Sequence, residues 1–161
     1  LLRFLCDHFD GEIHVSLGMT PRAEEARIVE TIAARGRLED TVLYACTSGY
    51  PVAFDELCLL EIRRLRRDYG DAVKAIGFSG HHLGIAADVA AMTVGARWIE
   101  RHFTLDRTWK GTDHAASLEP DGMLRLVRDL HNVADALRYK DDDLLPVEVE
   151  QRQKLKFGPV A

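Results

Sequence analysis

The chain has 161 residues, of which 47% are hydrophobic and 29% charged, an ordinary balance for one globular domain. It is shorter than a complete eight-fold α/β barrel, which needs roughly 250 residues. The formal net charge of -5 argues against binding to a nucleic-acid backbone or to an anionic membrane surface. No apolar run approaches the ~18 residues of a membrane span, and no signal peptide is visible. The three cysteines match no zinc-binding spacing, so we expect reduced, mostly buried thiols in a cytoplasmic protein.

Four apolar runs alternate with segments of helical period along the chain. The runs are continuously hydrophobic, as expected for strands that are covered on both faces. The predicted strands are Glu12–Leu17, Thr41–Cys46, Lys74–Phe78 and Arg97–Phe103. The predicted helices extend from Thr20-Pro21 to Gly36, from Phe54 to Tyr69, from Ile85 to Val94 and from Pro120 to Leu137, and a further helical pattern precedes the first strand. This alternation predicts a parallel sheet with right-handed crossovers.

The segment 140–161 differs from the rest of the chain. It begins with three consecutive aspartates, and its last dozen residues have no convincing period. We interpret it as a linker that follows a domain formed by residues 1–139.

Functional groups of α/β folds gather at the carboxyl ends of the strands, and two of these ends carry histidines here. His81 and His102 follow neighbouring strands, which lie about 4.8 Å apart, so both imidazoles could reach one divalent ion. Glu100 lies two residues before His102, on the same face of its strand. Open positions filled by water or substrate oxygens would suit Mn²⁺, or Mg²⁺ more weakly. Spacing alone leaves a structural role for the histidines equally open. We expect His82 to point the opposite way from His81, either as a packing residue or as a residue that supports the metal ligands from behind.

A long polar segment, residues 104–114, follows the last predicted strand. Trp109 could stack on a sugar, Arg107 and Lys110 could bind phosphate, and Asp113 could accept a sugar hydroxyl or a proton. An ordinary loop ahead of the next helix explains the segment equally well. The residues therefore indicate a metal-assisted site for an anionic ligand without naming a reaction.

Four segments of the chain resemble a known family. Residues 97–120, reading RWIERHFTLDRTWKGTDHAASLEP, are similar to the last-strand signature of the N-acylneuraminate synthase family. The segments SLGM (16–19), CTSGYP (46–51) and GFSGHHLG (77–84) resemble the three preceding strand ends of that family, in the same order. The resemblance extends from about residue 1 to residue 155. The TWKG sequence is similar to the branch that acts on 6-phosphorylated N-acetylmannosamine.

The resemblance implies a TIM-type (β/α)₈ barrel to which this chain contributes strands five to eight. It also implies a reaction in which C3 of phosphoenolpyruvate attacks the open-chain aldehyde of N-acetylmannosamine or its 6-phosphate. Water adds at C2 and phosphate leaves, which gives N-acetylneuraminate or its 9-phosphate. The resemblance implies that His81 and His102 bind the metal and that Ser16 and Ser79 contact the phosphoenolpyruvate phosphate. It places Ser48 and Tyr50 near phosphate and sugar. It also implies that Asp113 binds acceptor hydroxyls and that Glu100 handles the attacking water.

The sequence departs from the family pattern at Leu17, Ser48 and Gly80, where many members have Thr, Asn and Asp. None of these departures removes a predicted metal ligand. The family's first four strands and its small antifreeze-like domain, whose arginine reaches the partner subunit, have no counterpart here. We therefore expect a piece of a longer, homodimeric enzyme that is inactive as this isolated chain.

Three other hypotheses remain. The chain could be a non-catalytic half-barrel that only assembles with another copy. It could belong to a different phosphoenolpyruvate-condensing barrel that makes other keto-sugar acids, although the segment 97–120 disfavours this. Within the family, the product could be a legionaminic, pseudaminic or spore-coat sugar. Metal binding distinguishes the enzyme from the assembly module, and the choice of acceptor distinguishes the relatives.

Overall fold

The computed structural model describes residues 1–156 and contains a four-stranded parallel sheet in the order β1-β2-β3-β4. The strands are β1 (Ile13–Ser16), β2 (Thr41–Cys46), β3 (Ala75–Gly80) and β4 (Trp98–Arg101). The helices are α1 (Leu2–His8), α2 (Arg22–Ala33), α3 (Leu60–Tyr69), α4 (Ala86–Val94), α5 (Pro120–Ala136) and α6 (Pro146–Leu155). Short 3₁₀ turns occupy Leu38–Asp40, Phe54–Glu56 and His114–Ala116. The predicted alternation of strands and helices is confirmed.

The last strand is shorter than predicted because the chain leaves the sheet after Arg101. The backbone N–H of Leu118 donates to the carbonyl of His102 at 2.8 Å, and the N–H of Thr104 donates to the carbonyl of Leu118 at 3.0 Å. Phe103 forms an isolated parallel bridge with Leu118. This segment thus pairs with the loop that follows it, which holds the loop across the end of β4.

Two helix predictions differ from the structure. The helix predicted from Phe54 begins as a 3₁₀ turn, and α3 itself starts only at Leu60. The tail, for which no regular structure was predicted, contains α6 with Pro146 in its first turn. The carboxylate of Glu148 accepts a hydrogen bond from the backbone N–H of Leu145 at 2.9 Å and satisfies a donor at the start of this helix. Residues 157–161 of the predicted linker lie outside the described part of the chain.

The core lies on one face of the sheet, where the helices pack. Alternate strand residues point towards the helices, because successive side chains of a strand face opposite sides. These inward residues join buried side chains of α3 and α4 in one cluster, whose members include Leu43, Ala45, Ile76, Phe78, Ile62, Leu65, Ala87 and Ala91. The other face carries polar and aromatic residues, including His14, Tyr44, Ser79, Trp98 and Glu100. The site residues therefore belong to the strand face that the helices leave uncovered.

Three further observations bear on the predictions from composition. Between residues 1 and 156, no helix combines the length and apolarity needed to cross a lipid bilayer. All three cysteines are free thiols. The expectation that they are mostly buried is wrong, since Cys6 is buried, Cys46 is half-buried and Cys58 is exposed in the loop before α3.

Candidate active site

His81 and His102 meet at the carboxyl edge of the sheet. Their ring centroids lie 4.9 Å apart in an edge-to-face arrangement. The ring of Tyr50 contacts both imidazoles, with centroid distances of 4.7 Å to His81 and 5.6 Å to His102. The predicted pairing of the two histidines is thus present, and Tyr50 joins them.

The alternation of the strands explains why His81 faces the site and His82 does not. Ser79, in β3, pairs in register with Glu100 of β4, and their side chains project from the face that the helices leave uncovered. His81 and His102 each follow two residues later and project from the same face. His82 points towards the helices and is fully buried. The prediction that His82 points the opposite way from His81 is confirmed.

Ser79 and Glu100 form a hydrogen-bonded pair beside the histidines. The Ser79 hydroxyl donates to the carboxylate of Glu100 at 2.7 Å, and Ser79 itself is buried. A hydrogen bond to a carboxylate is stronger than one between neutral groups, so it fixes the orientation of the acid. In this structure Ser79 holds Glu100, and a contact from Ser79 to phosphate stays a prediction.

Cys46 is a member of the site that the sequence did not indicate. Its Sγ lies 3.9 Å from His81 Nδ1 and 3.9 Å from the Ser48 hydroxyl. Burial raises the pKa of the Cys46 thiol, but hydrogen bonds from His81, Ser16 and Ser48 outweigh burial and lower that pKa to about 7. The hydrogen bond to Cys46 is in turn the main reason why the pKa of His81 is raised, against the opposing effect of burial. The two groups therefore favour each other's charged forms.

Asp113 approaches the site from the loop after β4. One of its carboxylate oxygens lies 3.7 Å from His102 Nδ1. The loop curls around His114, whose Nδ1 lies 2.9 Å from the Thr104 hydroxyl. A cavity of about 360 Å³ opens between His102 and this loop. Besides His102, its lining residues are Phe103, Gly111, Thr112, Asp113, His114 and Ser117. A cavity of this size suits a small-molecule ligand.

The predicted phosphate-binding cations are less well placed. Lys110 is exposed and does not line the cavity beside Asp113. Arg107 donates a hydrogen bond from its guanidinium to the carbonyl of Ala115, so it braces the loop. Trp109 is exposed and packs its ring edge-to-face on His114, with a centroid distance of 5.8 Å. A phosphate contact from Lys110 stays a prediction.

Each of the two histidines keeps one ring nitrogen that could bind a cation. Nδ1 of His81 faces Cys46 and Nδ1 of His102 faces Asp113, which leaves Nε2 of each ring as the nitrogen directed elsewhere. Metal-binding histidines commonly engage one ring nitrogen with a neighbour and coordinate through the other. Within residues 1–156, His, Cys, Asp and Glu side chains form no group of three or more that could hold a metal ion. A cation here would thus have two protein ligands and take its other ligands from water or substrate.

Fold and site together define the class of protein: half of a parallel α/β barrel with a histidine-containing polar site at its carboxyl edge. The sequence profile of the NeuB family matches residues 1–142. The chain belongs to the NeuB family.

Named relatives fall within the same group of synthases. The chain is 45% identical to N-acetylneuraminate-9-phosphate synthase of Homo sapiens over 116 residues, which are 72% of this chain and 32% of the relative. It is 34% identical to N,N'-diacetyllegionaminic acid synthase of Campylobacter jejuni over 128 residues, which are 78% of this chain and 37% of the relative. The crystal structure of N-acetylneuraminic acid synthetase from Leptospira borgpetersenii superposes with a TM-score of 0.77 at 28% identity, covering 96% of this chain and 53% of that one. The chain thus spans about a third of the length of these curated relatives and about half of the solved structure.

Proposed function

We propose that the chain forms strands five to eight of a (β/α)₈ barrel and carries the acceptor end of a sialic acid synthase site. The supporting observation is the convergence of His81, His102, Tyr50 and Asp113 at one edge of the sheet. The proposed reaction joins C3 of phosphoenolpyruvate to the aldehyde carbon of an N-acyl amino sugar, with water added at C2 and phosphate released. The 45% identity to the Homo sapiens relative favours N-acetylmannosamine 6-phosphate as the acceptor.

A divalent cation, Mn²⁺ or Mg²⁺, held by His81 and His102 would act as a Lewis acid on the aldehyde oxygen. The remaining roles belong to side chains of this chain. Asp113 borders the cavity beside His102, where its carboxylate can accept hydrogen bonds from acceptor hydroxyls. Glu100, oriented by Ser79, presents a carboxylate that can take a proton from the water that adds at C2. Ser16, Ser48 and Lys110 are proposed to bind phosphate.

Metal binding tests the proposal against the alternative of a non-catalytic half-barrel. Isothermal calorimetry of the chain with Mn²⁺ should show micromolar binding. That binding should be lost in His81→Ala and in His102→Ala, because each removes one of two protein ligands. His131→Ala is the matched control, since His131 is exposed on α5 and far along the chain from the site. Equal Mn²⁺ binding by all four chains would refute the metal assignment.

The acceptor and the activity of the isolated chain are tested separately. Binding of N-acetylmannosamine and of its 6-phosphate, compared by calorimetry in the presence of Mn²⁺, should favour the phosphorylated sugar. Release of phosphate from phosphoenolpyruvate by the isolated chain should stay at background, because half of the proposed barrel is absent from it. Tighter binding of the unphosphorylated sugar, or turnover by the isolated chain, would contradict the corresponding part of the proposal.

A further inference from the structure

A buried group of charged and polar side chains lies directly behind the two histidines, on the helix side of β3 and β4. It consists of His82, Asp88 in α4 and Arg101 in β4. The Arg101 guanidinium forms an ion pair with Asp88, and its Nη1 lies 3.3 Å from His82 Nε2. Side-chain exposure is 0% for His82 and Asp88 and 1% for Arg101. These groups are therefore withdrawn from solvent and take no direct part in the site.

Arg101 also binds the backbone of the segments that carry the site. It donates to the carbonyl of His82 at 2.7 Å, to that of Gly84 at 2.8 Å and to that of Ala116 at 3.2 Å. His82 directly follows His81, and Arg101 directly precedes His102. Ala116 belongs to the short 3₁₀ turn that begins one residue after Asp113. One guanidinium thus joins the three segments that present His81, His102 and Asp113.

Stability alone does not explain this arrangement. Removing an ion pair from water is costly, and well-packed apolar residues in its place often give an equally stable protein. Among the described residues, Asp88 Oδ1, Arg101 Nε and His82 Nδ1 are buried without a hydrogen-bond partner, which adds to that cost. What apolar residues cannot supply is a rigid fork of donors directed at three separate carbonyl groups.

We propose that Arg101 and Asp88 are positioning residues that fix the distance between the imidazoles of His81 and His102. Asp88 orients the guanidinium, and the guanidinium fixes the backbone on which each imidazole stands. The His82 side chain contributes less, because most of the acceptors are backbone carbonyls. As far as it concerns metal affinity, the inference rests on the proposed function.

Two variants separate positioning from mere structural support. Arg101→Lys keeps the charge opposite Asp88, but a lysine donates from one atom and cannot span the three carbonyls. The double variant Arg101→Met/Asp88→Leu replaces the ion pair by apolar groups of similar size and leaves no unpaired charge. Arg125→Lys is the matched control, since Arg125 forms an exposed ion pair with Asp121 on α5. Urea unfolding of each chain establishes which variants are folded before the other measurements are made.

The readouts are the imidazole NMR resonances of His81 and His102 and the dissociation constant for Mn²⁺ from calorimetry. In folded Arg101→Lys and in the double variant, the resonances should broaden or split, and Mn²⁺ affinity should fall by about 10- to 100-fold. Arg125→Lys should match the wild-type chain in both readouts. Unchanged resonances and affinity in either folded variant would overturn the inference. Failure of the wild-type chain to bind Mn²⁺ would instead refute the metal assignment, and the resonances alone would then decide whether Arg101 positions the imidazoles.

Discussion

The Cys46 thiol offers the sharpest test of the site's electrostatics, because its alkylation rate reports its ionisation. With a pKa of about 7, about half of Cys46 is thiolate at pH 7. An ordinary cysteine with a pKa of about 8.5 has roughly 3% thiolate at that pH. The gain in thiolate is thus roughly 15-fold, but a less basic thiolate is also less nucleophilic, with a Brønsted coefficient of about 0.4–0.5. The lower nucleophilicity reduces the expected increase in alkylation rate at pH 7 to about 3-fold. The midpoint of the pH profile is therefore a better measure of the Cys46 pKa than the rate itself.

The assay uses a chain in which Cys6→Ala and Cys58→Ser leave Cys46 as the reactive thiol. Its alkylation by iodoacetamide, followed from about pH 5 to pH 10, should reach half of the maximal rate near pH 7. His81→Ala should move the midpoint upward, because the hydrogen bond from His81 is the largest of the contributions that lower the pKa of Cys46. His131→Ala is the control and should leave the midpoint unchanged.

The same coupling can be measured from the pKa of His81. Replacing Cys46 by Ala should lower the pKa of His81, as measured by NMR titration of its imidazole, because the contact with Cys46 is the main cause of the raised value. In the alkylation assay, a midpoint near pH 8.5 for the chain that keeps only Cys46, or a midpoint that His81→Ala does not move, would refute the coupling between Cys46 and His81.

Two further predictions concern packing. Ile32 is fully buried between α2 and β1, so Ile32→Ala should lower the free energy of unfolding by about 2–5 kcal/mol. Val147 is exposed on α6, so Val147→Ala should change it by no more than about 0.5 kcal/mol. Urea unfolding measures both. Gly80→Ala should cost about 1–3 kcal/mol, because a Cβ there would lie 2.8 Å from the Phe78 ring and 3.1 Å from His82. Gly80→Ala should cost less in a His82→Ala background than in the wild-type chain, and an equal cost in both backgrounds would show that His82 does not restrict position 80.

The sequence by itself determined the order of the elements and the placing of His81 and His102 at one edge of the sheet. Continuous apolar runs alternating with helical periods permit few arrangements other than a parallel sheet. Because carboxyl ends of parallel strands meet at one edge, the pairing of His81 with His102 followed from position along the chain. Because successive side chains of a strand face opposite sides, the sequence also predicted that His81 and His82 point in opposite directions. The reaction was suggested by the resemblance of the segment 97–120 and not by these patterns.

Tertiary structure decided what depends on contacts between distant residues. The sequence predicts Cys46 to be a small buried apolar residue, whereas its proximity to His81 follows from the register of β2 against β3. Asp88 and Arg101 belong to an ordinary helix and strand, and their ion pair exists because α4 packs across the end of β4. The local sequence pattern indicates the period of a strand or helix. The distance between side chains of different elements is set by packing instead. The pKa values and the positioning of the histidines depend on that distance.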